Sequence, residues 1–205
     1  WLKSLGCDFN PLKASDTEIV RSHAFAPGIT SATLTLVAKM NELGVDIRYA
    51  TKANSFILDD SGKAIGLNCT DYNGNPVEYY ADKIILASGG WGDNNDLIVQ
   101  NWGEEYDGLV YGGAIGMDGT MLNAAVDQLG AGLVDMDDQH VDATLEVTRH
   151  LTITTGVLRS NGILVRQSTG QRFANEFERH SEEAAAVMHQ LGDEYFYEIF
   201  DTNTA

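Results

Sequence analysis

The chain has 205 residues, 43% of them hydrophobic, and carries 30 acidic against 13 basic side chains, a formal charge of -17. This is enough for one large domain or two small ones with a sizeable core, and the acidic surplus repels phosphate backbones and anionic lipid, which speaks against nucleic-acid and membrane-surface partners. No apolar run approaches the ~20 residues of a membrane span and no basic stretch followed by an apolar one opens the chain, which leaves cytoplasm and cell envelope both open.

In chain order, residues 1–27 are of mixed polarity, with Asp8-Phe9-Asn10-Pro11 reading as a turn and Arg21-Ser22-His23 as a loop before Pro27-Gly28. Thr30 or Ser31 can cap a helix over 31–43, whose Leu36, Met40 and Leu43 recur at helical spacing and are expected in the core, with Gly44 as its stop. Residues 45–51, 53–58, 64–71 and 77–80 read as strands. Turns at Asp60-Ser61-Gly62 and Asn73-Gly74 join the last three into an antiparallel meander. Cys7 and Cys69 lie far apart and read as free thiols.

The most informative stretch follows the meander. Ile84, Ile85, Leu86 and Ala87 run without polar alternation, as in a strand covered on both faces. That strand ends in Ser88-Gly89-Gly90, where the absence of side chains lets a ligand approach the backbone at the carboxyl end of an α/β sheet. An ordinary strand-to-loop turn is the plainer reading of the glycine pair taken alone.

After Gly92, Asp93-Asn94-Asn95-Asp96 can cap a short helix through Leu97, Ile98 and Val99. Residues 103–119 are glycine-rich and read as loop. A helix then runs to Gly130, with Met121, Leu122, Ala125 and Leu129 as its buried face. Residues 135–142 form the densest acidic cluster, yet His140 stands where a calcium loop needs glycine, so a solvated loop is expected and no metal site. Residues 163–165 read as a strand, Gly170-Gln171-Arg172-Phe173 as a turn into a second one, 181–191 as a helix, and 195–200 as an amphipathic strand or short helix.

Four segments together resemble the flavoprotein family of fumarate reductases and succinate dehydrogenases, including soluble flavocytochrome-type reductases and 3-oxosteroid dehydrogenases. They are Gly44-Val45-Asp46-Ile47 with Thr51-Lys52-Ala53; the run from Ile84 to Gly90 with Asn94-Asn95; Asp118-Gly119 leading to Gly130-Ala131; and Gly162-Ile163-Leu164-Val165 leading to Gly170-Gln171-Arg172-Phe173-Ala174-Asn175-Glu176. The resemblance implies an α/β (α+β) fold: a partial FAD-binding domain with an antiparallel meander over 1–133, then part of an α+β capping domain over 134–205. It implies that Ala53 faces the flavin adenine, that Ala87, Ser88, Gly89 and Gly90 border its ribose and pyrophosphate, and that Asp118 contacts the flavin, a plain helix cap being the rival role for Asp118. The family's Thr-Gly-Asp-Gly is here Gly116-Met117-Asp118-Gly119.

In the second half, Thr155 and Arg159 match family positions that can donate to a substrate carboxylate, while the family's proton-relay glutamate is Gly156. The family's substrate-holding histidine falls on Asp142 in an ungapped match, with His140 as its possible replacement. The catalytic arginine falls on His180, with Arg179 adjacent; either can serve as the proton donor, and an exposed helical turn is an equal alternative for both.

No Gly-x-Gly-x-x-Gly follows an early strand, so under the resemblance the chain is an internal piece. It is expected to bind FAD poorly or not at all by itself, to be inactive alone, and to need the remaining flavin-domain segments of its own chain. The implied activity is hydride transfer through FAD across a carbon-carbon bond next to a carbonyl or carboxylate, on an unsaturated acid or a ketone such as a steroid. The departures at 142 and 156 argue against fumarate itself. The alternative is a non-catalytic acidic domain that binds a basic partner. Burial of exposed apolar faces would drive the isolated piece to associate with itself.

Overall fold

A computed structural model describes residues 1–10, 24–138, 145–146, 151–152, 162–174, 191–193 and 195–201. The chain divides into two units, Trp1–Ala50 and Thr51–Ala205.

In the first unit a 3-10 turn (Leu2–Leu5) leads into β1 (Asp8–Phe9), which pairs antiparallel with β2 (Phe25–Ala26). The turn expected at Asp8 is therefore a strand instead. Phe9 opposes Phe25, their ring centroids 4.8 Å apart, and this cross-strand aromatic contact outweighs the local turn chemistry. Helix α1 (Ile29–Glu42) begins after Gly28, with no side-chain cap. Ser31 Oγ instead donates to the carbonyls of Gly28 and Ala26, at 2.7 and 3.1 Å. Gly44 follows the helix as expected. The stripe expected in the core is not there: Ala32 is buried, but Leu36 is only half-buried, and Met40 and Leu43 are exposed. The strand expected over 45–51 is also absent. Ala50 adopts a left-handed backbone, φ 49°, which turns the chain out of the extended conformation.

The second unit opens with β3 (Lys52–Leu58), β4 (Ala64–Thr70) and β5 (Pro76–Tyr80), an antiparallel sheet in that order. Its two turns share one device. Asp59 Oδ1 accepts from the backbone N–H groups of Ser61 and Lys63, and Asp71 Oδ1 from those of Asn73 and Asn75, side-chain bonds that fix each reversal locally.

Helix α3 (Thr120–Leu129) lies on this sheet. Phe56, Met121 and Ala124 are buried between them, with Leu58, Ala64, Leu67, Ala125 and Ile84 packed around. Of the face expected for α3, Met121 is buried, Leu122 and Ala125 are half-buried and Leu129 is exposed, while Ala124 was missing from it. Near the end of α3, the Gln128 amide reaches back to β3, its Oε1 accepting from the Phe56 N–H at 2.8 Å and its Nε2 donating to the Phe56 carbonyl at 3.3 Å. Gln128→Ala would strand both groups beside a buried core residue, so a loss of about 1–2 kcal/mol is expected in urea unfolding monitored by circular dichroism; an unchanged midpoint would count against the role.

Residues 81–90 contain no regular strand, and Ile85 (91%) and Leu86 (44%) are exposed. The buried strand expected at 84–87 is thus corrected: among the described residues no strand pairs with it, and a stretch meant to be covered on both faces has no ladder without neighbours. Only Ile84 is tucked into the sheet–helix core. Helix α2 (Asn95–Trp102) follows, capped by Asn94 Oδ1 accepting from Leu97 N–H at 3.1 Å. Its Ile98 packs with Tyr106, Trp91, Trp102 and Leu109.

Further along, β6 (Leu145–Glu146) pairs with β7 (Leu151–Thr152), and β8 (Ile163–Arg166) pairs antiparallel with β9 (Phe196–Ile199). Gly170-Gln171-Arg172-Phe173, expected as a turn into a second strand, meets β8 through a single bridge from Arg172 to Val165. Leu164, Phe173 and Ala174 form a small apolar cluster, and the partly buried Arg166 pairs with Asp193 at 2.7 Å. The helix expected over 181–191 lies almost entirely outside the described residues.

Candidate cofactor edge

Two loops of the second unit run side by side and build the site. One is the exposed stretch 87–90 with Trp91 to Asn94; the other is Met117-Asp118-Gly119, which opens α3. Four contacts knit them. Asp93 N–H donates to the Met117 carbonyl at 2.9 Å, and Asn94 Nδ2 to the Asp118 carbonyl at 2.8 Å. The Met117 thioether lies where a side chain on Gly89 would stand, and a Cβ on Gly119 would come within 2.9 Å of Trp91 Cβ and 2.7 Å of Leu97 Cδ1. Gly89 and Gly119 both have left-handed backbones, φ 77° and 75°, so glycine is required at both for conformation and at Gly119 for space as well.

Asp118 is the hub. Its Oδ1 accepts from the Thr120 N–H at 3.0 Å and the Thr120 hydroxyl at 2.6 Å, an Asx turn onto the first residue of α3. Its Oδ2 accepts from Lys52 Nζ at 2.6 Å, which ties the start of β3, beside Ala53, to the same loop. The Lys52 ammonium first, and then the Thr120 hydroxyl and N–H, hold the Asp118 carboxyl well below the usual carboxylate range. A carboxyl depressed on folding contributes stability that is complete above its unfolded value of about 4 and is lost as pH falls through the lower folded value. Accordingly, Asp118→Asn should cost about 1 kcal/mol near neutrality, the pair being partly solvated. That deficit should shrink as pH drops below about 4 in unfolding titrations, and a pH-independent deficit would contradict the linkage.

Among the anticipated cofactor residues, the structure thus brings together Gly89 and Gly90, Asp118 and, through Lys52, the start of β3 at Ala53. Ala87, Ser88, Gly89 and Gly90 are exposed, and Ala53 is half-buried against the sheet–helix core. The anticipated substrate and catalytic residues His140, Asp142, Thr155, Arg159, Arg179 and His180 lie outside the described residues. Sequence reasoning gave no role to Lys52 or to the Met117 side chain. A basic residue between Thr51 and Ala53 was the only hint of the first, and nothing local marked the second. Among the described residues no group of three or more His, Cys, Asp or Glu is placed to hold a metal, and no helix is long and apolar enough to cross a membrane.

An added Cβ at Gly90 would meet nothing within 4 Å, so the backbone is bare on that side, and Lys52 balances the carboxylate nearby. The unit that carries this edge is of the mixed α/β class. Residues 18–195 match the model of the FAD binding domain family, and the chain belongs to that family, whose cofactor is FAD. It is 29% identical to fumarate reductase (cytochrome) of Shewanella frigidimarina, over 98% of this chain and 35% of that protein. It is also 28% identical to urocanate reductase of Eggerthella lenta, over 74% of this chain and 25% of that protein. The open conformation of a flavocytochrome c3 fumarate reductase superposes with a TM-score of 0.82 at 24% identity, covering all of this chain and 36% of that one. The fold expected from the sequence is therefore present, and the chain spans about a third or less of the length of these relatives.

Proposed function

We propose that this chain is an internal part of a longer flavin-dependent oxidoreductase that transfers hydride across a carbon-carbon bond next to a carbonyl or carboxylate. Residues 1–133 belong to its flavin domain and 134–205 to its substrate-closing cap. The observation that carries the reading is the exposed stretch 88–90, open at Gly90 and joined to the loop of Asp118 and, through Lys52, to β3. FAD supplies the hydride chemistry. Ala53, Ala87, Ser88, Gly89, Gly90 and Asp118 would hold one edge of it, the side-chain-free positions admitting the dinucleotide against the main chain.

In the cap, Thr155 and Arg159 orient the substrate's carboxylate or carbonyl, arginine with two parallel donors. His180 or Arg179 delivers the proton to carbon. Histidine gives up a proton near neutral pH far more readily than arginine does. With Asp142 and Gly156 at two positions where fumarate reductases carry histidine and glutamate, an unsaturated acid other than fumarate is the favoured substrate, and the likeness to a urocanate reductase supports that choice. A ketone is the second option. The exposed Ile85 and Leu86 would seat against further segments of the same chain, and in the isolated piece they favour self-association.

The test is the visible spectrum of the full-length protein as purified, followed by a screen of unsaturated acids and ketones against a reduced dye. Flavin absorbance with turnover of one such acceptor is the expected result. A colourless, flavin-free protein would instead favour an acidic domain that binds a basic partner.

A further inference from the structure

Met117 stands between the Asp118 loop and the glycine pair. The Sδ and Cε atoms of Met117 stand where a Cβ on Gly89 would be built, while its carbonyl accepts from Asp93 N–H at 2.9 Å. Gly90, one residue on, has open space at the same position. The two glycines therefore differ: one is backed by a thioether, the other is bare. Met117 is itself only half-buried, so the thioether is not a core filler that happens to touch the loop. The long, flexible side chain can lie along a glycine backbone and fill the space beside it.

We infer that Met117 is a positioning residue for the cofactor: its thioether backs Gly89 from behind and holds the glycine turn with its open side presented to the dinucleotide. This rests on the proposal that residues 87–90 are the cofactor edge. As a left-handed glycine, Gly89 is conformationally free, and without a backing side chain it samples conformations that withdraw the edge. Affinity for a flat ligand laid on a backbone depends on that preorganisation.

The experiment titrates FAD into the apo form of the full-length protein, by quenching of flavin fluorescence, for wild type, Met117→Ala, Met117→Leu, Gly89→Ala and the double variant Gly89→Ala with Met117→Ala. Met117→Ala is expected to weaken FAD binding about tenfold, and Met117→Leu, which keeps the volume, to restore it to within about threefold. Gly89→Ala should weaken binding about tenfold or more, and the double variant should fall short of the product of the two single effects, because the collision partner is gone. If Met117→Ala binds FAD as wild type does, or if Met117→Leu is as weak as Met117→Ala, the inference is overturned while the cofactor edge stands. If wild type itself fails to take up FAD, the edge is overturned and the inference falls with it.

Discussion

Gly89→Val in the full-length protein is expected to yield a folded but colourless protein. At φ 77° a β-branched side chain is strained by about 1–3 kcal/mol, and its Cβ would collide with the Met117 thioether. The loop relieves both by moving, and the edge is lost with it. Even a penalty of about 2 kcal/mol on the bound geometry weakens flavin roughly 30-fold. Because 87–90 is exposed and packs little against the core, the global fold should be retained. Flavin titration beside far-ultraviolet circular dichroism decides the matter: wild-type affinity in the variant would show that the backbone at 89 does not touch the cofactor.

Arg159→Leu should leave the flavin spectrum intact and lower kcat/KM by about 10²–10³-fold, the scale seen when a donor aimed at developing charge is removed. In the proposed function this arginine serves the substrate, in a segment distinct in sequence from the edge at 88–90, so the two variants should separate cleanly into one that loses cofactor and one that loses turnover. Arg159→Lys restores charge without the two parallel donors and should recover only part of the loss. Undiminished turnover with any good acceptor in Arg159→Leu would remove the residue from the mechanism.

How much of this was legible in the sequence depends on how far each feature reaches along the chain. The meander was readable because Asp59 and Asp71 each bond N–H groups two and four residues ahead. The start of α2 was equally local, Asn94 capping Leu97. Residues 84–87 failed for the opposite reason, since a run of four apolar residues says what a strand would bury but not whether neighbours are there to pair with it. Likewise, the apolar stripe of α1 showed its periodicity without showing what covers Met40 and Leu43. Asp118 was named from its motif, but its partner Lys52 is 66 residues away and the Gln128–Phe56 bonds span 72. No local rule reaches such distances. The glycine pair is legible because it needs only a missing Cβ, whereas the Met117 contact exists only once Gly89 has been folded beneath it.

The Gln128 amide also bears on how the chain behaves in company. With one acceptor and one donor facing Phe56, it mimics at β3 the pair of groups that another strand would offer. At the opposite margin of the sheet, β5 begins with Pro76 and exposes Glu78 and Tyr80. Both rims are thereby made poor templates for a foreign polypeptide, one by an amide already in the seat and the other by a missing N–H and a carboxylate. A sheet of only three strands can thus remain three-stranded at high concentration instead of recruiting its own copies into fibres.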